Sequence, residues 1–228
     1  MSALSQIVCT GLVCIALCGT AGAHRDRHDH EDDRDRIEGS GDRISQVRAV
    51  TGFNEIRVEC AFDLEVTVGP AFSVELTYDD NLIDLIQTDV RGGTLILDCE
   101  EDLDADRSCR VRIAMPALAG ITVNGAADIE VRGLAGEAFE YELRGAADLQ
   151  LQGAVGRLEI HLLGAGSIDA RDLVAQEVDV QLSGTGSVRV HATERFDGRV
   201  SGCGSIQYSG DPPHARENVS GIGSIRRR

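Results

Sequence analysis

Two five-residue stretches, Gly164-Ala-Gly-Ser-Ile168 and Gly184-Thr-Gly-Ser-Val188, are copies of a motif that occurs six times in the second half of the chain. The other copies are Gly125-Ala-Ala-Asp-Ile129, Gly145-Ala-Ala-Asp-Leu149, Gly202-Cys-Gly-Ser-Ile206 and Gly221-Ile-Gly-Ser-Ile225. Successive first glycines are 20, 19, 20, 18 and 19 residues apart. A helical repeat needs about 33 residues and a propeller blade about 40. The period therefore predicts one coil of a β-solenoid for each motif.

Apolar residues recur at fixed distances from each first glycine. Two positions before it stand Val123, Leu143, Leu162, Leu182, Val200 and Val219. Four positions after it stand Ile129, Leu149, Ile168, Val188, Ile206 and Ile225. Within each strand the apolar positions are two residues apart, which is the period of a half-buried strand. Each coil is therefore predicted to be a strand, a glycine corner and a second strand, and the coils must stack because one coil cannot bury its own apolar face.

The predicted fold class is all-β, and residues 44–228 form the predicted β domain. Residues 119–228 are predicted to build a right-handed, β-helix-like stack of about six coils, one for each motif. Residues 44–118 alternate polar and apolar side chains and are predicted to form an amino-terminal antiparallel β-region. One short helix is predicted there from Asn81 to Ile86, with Asp79 or Asp80 as its cap.

Two segments precede this domain. Residues 1–23 hold an apolar run and end in Ala21-Gly-Ala23, which predicts a secretory signal peptide cleaved before His24. Lipidation of Cys18 is the alternative, but Leu17 is large for the preceding position. Residues 24–43 are almost wholly charged, rich in His, Asp and Arg, and are predicted to be a disordered linker. We therefore expect an exported protein of the periplasm, outer cell surface or medium, without a transmembrane segment in its mature chain.

The acidic balance of the chain narrows the classes of partner. The sequence has 38 acidic and 22 basic residues, for a formal net charge of -16 at pH 7. A surface of that sign repels nucleic acid and anionic lipid. It suits metal cations, basic partners or simple solubility, and we predict no nucleic-acid partner.

Four cysteines remain after the predicted signal peptide, and an oxidising compartment favours their pairing. Cys99 and Cys109 flank a short acidic loop between two strand-like runs, so we predict a disulfide between them. Cys60 and Cys203 are predicted either to form a second disulfide or to remain free thiols. No histidine or carboxylate accompanies these thiols in a pattern typical of a catalytic cysteine.

An outward-facing column of acids is the candidate binding site. Five residues before successive first glycines stand Glu140, Glu159, Asp179 and Asp197. Because neighbouring strands lie about 4.8 Å apart, this column is a ladder of like charges that requires screening or bridging. A hard cation such as Ca²⁺ would bridge it, and so would side chains of the adjacent column, Glu142, His161, Gln181 and Arg199. We favour compensation by these side chains over a bound cation, and we keep the four acids as a candidate ligand or cation face, with no other cofactor predicted.

Two further acidic or histidine-rich segments have simpler interpretations. Asp102, Asp104 and Asp106 are spaced as at the start of a calcium loop, but Arg107 replaces the required glycine and Ile113 the bidentate glutamate. We interpret this segment as an acidic hairpin tip. Loose metal binding is the alternative for the histidines of the linker, His24, His28 and His30, but we interpret them as part of a solvated linker.

The combination of Asp79-Asp-Asn-Leu-Ile-Asp84, Gly93-Thr-Leu-Ile96 and the serial glycine corners resembles the bacterial family of auto-transporter adhesins with a head-GIN domain. The resemblance covers Val47 to Ile225. It implies an exported protein that is not an enzyme. Family members usually have Ser-Gly-Ser-Gly-Asp at the corner, whereas here only the first two motifs keep the acid, as Asp128 and Asp148.

The predicted function is a non-catalytic, adhesion-like binding module whose partner is a polymer or protein of the cell envelope or the extracellular space. The first alternative is a structural or assembly component of the periplasm without a ligand of its own. The second is a polysaccharide-active solenoid enzyme, which needs a cleft with placed carboxylates or a basic group. The predicted turns are too short to build such a cleft, tryptophan is absent, and aromatic residues make up 4% of the chain.

Overall fold

A computed structural model describes residues 37–100, 103–105 and 108–228. It is all-β, with 74% of these residues in strands, and its stacked coils complete about five turns of a β-solenoid. The predicted fold class is confirmed. The predicted signal peptide and residues 24–36 of the predicted linker lie outside the described residues.

The described residues contain seventeen strands and one short 3₁₀ helix. The strands of the first half are β1 (Ile37–Glu38), β2 (Arg43–Arg48), β3 (Glu55–Val58), β4 (Ala61–Val68), β5 (Ser73–Asp79), β6 (Ile86–Arg91), β7 (Thr94–Cys99), β8 (Leu103–Asp104) and β9 (Cys109–Met115). The strands of the second half are β10 (Gly120–Val123), β11 (Ala126–Leu143), β12 (Ala146–Leu162), β13 (Ala165–Leu182), β14 (Thr185–Val200), β15 (Cys203–Ser209), β16 (His214–Val219) and β17 (Ile222–Arg227). The 3₁₀ helix η1 spans Ile83–Leu85.

The repeats stack in parallel with their corners in register, and the register shifts only in the turns that lead from one coil to the next. Strands β11 to β14 each run from one glycine corner to the next, so each supplies the second strand of one coil and the first strand of the following coil. Ile129 lies beside Leu149, and Leu149 lies beside Ile168. Equivalent positions of successive motifs are therefore direct neighbours, and each apolar column becomes a buried stripe of the core up to the last coil, where Val219 is exposed and Ile225 partly buried.

The corner glycines are required by close backbone contact. A Cβ atom built at Gly145, Gly164, Gly184 or Gly202 would overlap the carbonyl oxygen of the first glycine one coil earlier. None of the six first glycines has a positive φ angle. A corner can require glycine because its φ is positive or because another backbone approaches closely. Here the reason is the close approach of the neighbouring coil.

The amino-terminal region is only partly antiparallel. As predicted, β2 pairs antiparallel with β5, β5 with β9, and β6 with β7. However, β3 pairs in parallel with β7 and β10, and β4 pairs in parallel with β9 and β11. The parallel stack therefore continues through the predicted boundary between residues 118 and 119, with β2, β5 and β6 added beside it.

The predicted α-helix from Asn81 to Ile86 is wrong in type and extent. Only the 3₁₀ turn η1 forms, its first flanking residue is Leu82, and no side chain caps it. Ile86 already begins β6, which leaves too few residues for a turn of α-helix. Asp79 and Asp80 instead accept hydrogen bonds from Gly41 and Ser40.

Residues 37–43, assigned from sequence to the disordered linker, are structured. Ile37–Glu38 pair in parallel with Leu103–Asp104, and Arg43 begins β2. The carboxyl end of the predicted linker is therefore corrected to lie before residue 37.

The structure also corrects the disulfide prediction. Cys60 is bonded to Cys99, with a Cα–Cα distance of 6.1 Å, while Cys109 and Cys203 are free. Val58 pairs with Leu97, so Cys60 and Cys99 leave neighbouring strands at the same level. Cys109 instead opens β9 with its side chain buried in the core. Cys203 is exposed on β15 at the other end of the stack.

Candidate functional site

The predicted acidic ladder exists as a column of neighbouring residues. Glu140 pairs with Glu159, Glu159 with Asp179, and Asp179 with Asp197 on successive parallel strands. The geometry on which the prediction depended is therefore present. Its role in binding stays a prediction.

Two arginine side chains form ion pairs with the last two acids of this ladder, Asp179 and Asp197. Arg199 Nη2 lies 2.9 Å from Asp197 Oδ1, and Arg199 Nη1 lies 3.4 Å from both carboxylate oxygens of Asp179. Arg195 Nη2 lies 4.0 Å from Asp197 Oδ2. Asp197 is only 6% exposed, so these contacts replace much of the hydration that its carboxylate loses.

Glu159, in the middle of the ladder, also has basic side chains beside its carboxylate. His161 Nε2 lies 3.0 Å from Glu159 Oε1, and Arg157 Nη2 lies 3.4 Å from Glu159 Oε2. Arg157 also approaches Glu177 at 3.9 Å. His161 and Arg199 belong to the adjacent column considered from sequence, whereas Arg157 comes from a column that the sequence analysis did not consider. A cation at this ladder would compete with these side chains.

A second acidic column lies at the glycine corners. Asp63, Asp128 and Asp148 are in-register neighbours on β4, β11 and β12. Asp63 was missed from sequence because its strand, Ala61–Val68, follows a corner without the glycine motif. The sequence signal that could have found Asp63 is the apolar residue that follows it: Leu64 follows Asp63 as Ile129 follows Asp128, and both apolar residues are buried.

These aspartates border a shallow groove of about 420 Å³. Its lining also includes small apolar side chains from four successive corners, Ala61, Ala126, Ala146 and Ala165. Asp148 Oδ1 accepts a hydrogen bond from the backbone N–H of Ser167 at 2.9 Å. Within the described part of the chain, neither Asp63 nor Asp128 forms a salt bridge. The corner column is therefore less compensated than the ladder.

Serine replaces aspartate in the rest of this corner column. Ser167, Ser187, Ser205 and Ser224 continue it in register from Asp148. Ser187 Oγ lies 3.4 Å from Ser167 Oγ. The charge of the corner column is consequently confined to its amino-terminal coils.

The structure also describes the environment of the buried thiol Cys109 and the grouping of potential metal ligands. Burial raises the pKa of the Cys109 thiol to about 12, although Arg43 and Arg48 oppose that effect. Cys109 is therefore protonated at neutral pH. Among the described residues, no group of three or more His, Cys, Asp or Glu side chains is placed to hold a metal ion.

The family of the chain follows from its sequence profile together with this architecture. The family model described as "Putative auto-transporter adhesin, head GIN domain" matches residues 52–212. The chain belongs to this family. The resemblance based on the Asp-Asp-Asn segment and the glycine corners is thereby confirmed.

Solved structures share the fold of this head-GIN domain. A protein from Bacteroides fragilis NCTC 9343 described as "a putative adhesin" has 25% identity and a TM-score of 0.70, covering 84% of this chain and 100% of that chain. A Parabacteroides merdae ATCC 43184 protein with the same description has 20% identity and a TM-score of 0.56, covering 85% and 99%. A third, from Parabacteroides distasonis ATCC 8503, has 23% identity and a TM-score of 0.52, covering 84% and 100%.

Two negative findings accompany these matches. No curated protein matches the chain. None of the helices in the described residues has the length and hydrophobicity needed to cross a membrane.

Proposed function

We propose that this head-GIN protein is an exported, non-catalytic, adhesion-like module that binds a polymer or protein of the cell envelope or the extracellular space. The family assignment and the shared fold support an adhesion-like role. The proposed export rests on the signal-peptide pattern of residues 1–23.

The observation that carries the choice of site is the difference in charge compensation between the two acidic columns. Asp63 and Asp128 lie beside an open groove and form no salt bridge among the described residues, although Arg110 is the in-register neighbour of Asp63, whereas Asp179 and Asp197 share Arg199. An acidic column with fewer ion pairs attracts positive charge more strongly than a bridged one. We therefore place the first contact of a positively charged partner at the corner groove, with the ladder as the second candidate face.

The test uses binding of the purified chain to intact bacterial cells and to isolated envelope polysaccharides, in Ca²⁺ and then in EDTA. Three double variants are compared: Asp128→Asn with Asp148→Asn at the groove, Glu140→Gln with Glu159→Gln at the ladder, and Glu137→Gln with Glu194→Gln as the control. The control removes the same charge from exposed positions outside both columns. Saturable binding that falls at least tenfold in the groove variant alone supports the assignment.

The other outcomes are equally informative. Loss confined to the ladder variant moves the binding face to Glu140, Glu159, Asp179 and Asp197, and abolition by EDTA assigns a cation to that face. An equal loss in all three variants indicates a general charge effect and contradicts a defined site. Absence of binding by the unmodified chain contradicts adhesion and favours the structural or assembly role.

A further inference from the structure

A further Gly-x-Gly-Asp sequence, Gly39-Ser-Gly-Asp42, lies outside the six repeats. It connects β1 to β2 and is not a corner of the stack. We call residues 37–42 the arm, and we call Asp79, Asp80 and Asn81, which hold it, the clasp. The acidic part of the clasp is the segment that the sequence analysis assigned to a helix cap.

The amide of Asn81 binds the backbone of the arm on both sides. Asn81 Nδ2 donates to the carbonyl oxygen of Glu38 at 2.8 Å, and Asn81 Oδ1 accepts from the N–H of Ser40 at 2.9 Å. One side chain thereby satisfies a carbonyl and an N–H of an extended chain, as a neighbouring strand would. These contacts are independent of the side chains that the arm carries.

The two aspartates of the clasp add selectivity. Asp79 is 5% exposed, and its Oδ2 accepts from the N–H of Gly41 at 2.9 Å. A Cβ at Gly39 would overlap Asp79 Oδ2, and Gly41 has φ +84°, a conformation that favours glycine. Asp80 Oδ1 accepts from Ser40 Oγ at 2.5 Å. The clasp therefore suits a Gly-Ser-Gly segment and excludes side chains at the first glycine.

The arm is attached chiefly through polar contacts. Glu38, Ser40, Gly41 and Asp42 are exposed, and Ile37 is only partly buried against the core. An empty clasp would leave the buried Asp79 carboxylate without the N–H of Gly41, which is unfavourable. The site thus requires a Gly-x-Gly backbone, and the same contacts form whether that backbone comes from the same molecule or from a second copy.

Strand β2, which follows the arm directly, lies at the edge of the sheet. Within the described residues, β2 pairs with β5 alone, and Gly52, with φ +81°, lies in the connection from β2 to β3. The pairing of β1 with β8 and the hydrogen bonds that Arg43 and Arg48 donate to backbone carbonyls also hold this segment, so an exchange has to transfer residues 37–48 as one unit. Exchange of such an element between identical chains preserves each of its contacts.

We propose that the clasp is a binding site for a Gly-x-Gly segment that bends at its second glycine, and that the arm of a second copy of this chain occupies it when residues 37–48 are exchanged. The segment that fits the site is present in every copy. The partner is therefore another molecule of the same protein, and the product is an arm-exchanged dimer.

Two full-length variants with complementary defects test this proposal. Gly39→Val removes a dockable arm but keeps the clasp. The double variant Asp80→Ala, Asn81→Ala keeps the arm but removes exposed groups of the clasp. We expect each variant alone to be monomeric and an equimolar mixture to form a 1:1 heterodimer, measured by light scattering after size exclusion. Gly69→Val is the matched control for Gly39→Val, because its Cβ would meet open space.

Hydrogen exchange of residues 38–42 provides the second measurement. Gly39→Val should raise exchange there at least tenfold, while Gly69→Val should leave it unchanged. Unchanged protection in Gly39→Val overturns the steric argument. A mixture of folded variants that stays monomeric overturns the proposed partner.

Discussion

Gly184 lies so close to Gly164 that the carbonyl oxygen of Gly164 occupies the place of a Cβ atom at residue 184. Replacing Gly184 with alanine forces the two coils apart at a corner that has no other room. We expect Gly184→Ala to lower the free energy of unfolding by about 1–3 kcal/mol. Urea denaturation checks this value. Gly69→Ala, at a glycine with open space, should change it by less than about 0.5 kcal/mol.

Removing Arg199 should expose the repulsion within the acidic ladder. Arg199→Met leaves the nearly buried Asp197 without its 2.9 Å partner, so we expect a loss of about 1–3 kcal/mol that shrinks in high salt. Arg91→Met breaks an exposed pair with Asp89 and should cost about 0–1 kcal/mol. Denaturant titrations at two salt concentrations measure both effects. Equal losses in the two variants would contradict a bridging role for Arg199.

Two tyrosines predict opposite responses to loss of a hydroxyl group. Tyr141 Oη is buried without a hydrogen-bond partner among the described residues, and burial, with a contribution from Asp148, raises its pKa. Tyr141→Phe should therefore leave stability unchanged or raise it by about 1 kcal/mol. Tyr208 Oη donates to Glu217 Oε1 at 2.7 Å, so Tyr208→Phe should lower stability by about 0.5–1.5 kcal/mol. Thermal unfolding of the three proteins decides the sign.

The buried thiol of Cys109 predicts a dependence of stability on alkaline pH. Its pKa in the folded protein, about 12, exceeds the unfolded value of about 8.5. The unfolded chain therefore loses this proton first, and the stabilisation is complete below about pH 8.5 and is lost as the pH rises towards 12. Between pH 9 and 11, the native chain should lose stability more steeply than Cys109→Ala, by up to about 1.4 kcal/mol per pH unit.

The same burial predicts which thiol reacts. A maleimide added to the native protein should label exposed Cys203, whereas Cys109 should react only after unfolding. Mass spectrometry of the labelled peptides provides this check. Labelling of Cys109 in the native protein would contradict its burial. Equal slopes of stability against pH for the unmodified chain and Cys109→Ala would contradict the raised pKa of this thiol.

Deleting one coil in phase should leave a folded protein. Removal of residues 145–163 joins Arg144 to Gly164 and brings the strand after Gly125 beside the strand after Gly164. Because stacking is a property of nearest neighbours, the shortened chain should keep its β-type circular dichroism and a cooperative transition. Deletion of residues 145–154, which is out of phase, should abolish both. Unfolding of the in-phase deletion would contradict the independence of the coils.

The solenoid was predictable because its determinants are local and repeated. Glycine corners and apolar columns recur near Gly125, Gly145 and Gly164, so their stacking follows from one period. The pairing of β3 with β7 lacked such a repeat, and Cys60 with Cys99 was missed for that reason. The four acids of the ladder were found from spacing alone, whereas the contact of Arg157 with Glu159 depends on side-chain direction.

The helix prediction was wrong, and Asp63 was missed, for related reasons. The segment from Asp79 to Ile86 has helix-like capping residues, but Asp79 and Asp80 are occupied by the chain at residues 40–42. This contact spans about forty positions, beyond the reach of local propensity. Asp63 joined its column through the pairing of β4 with β11, in a coil without a glycine corner.

The change from Asp148 to Ser167 along one corner column takes place without any change in strand register. Along this corner column the backbone position of each residue is consequently fixed, while the identity of its side chain is free to vary. One exposed corner residue can be exchanged while the glycines and buried columns beneath it stay the same. The side chain that each corner presents to solvent can therefore change coil by coil without a change in the packing of the core.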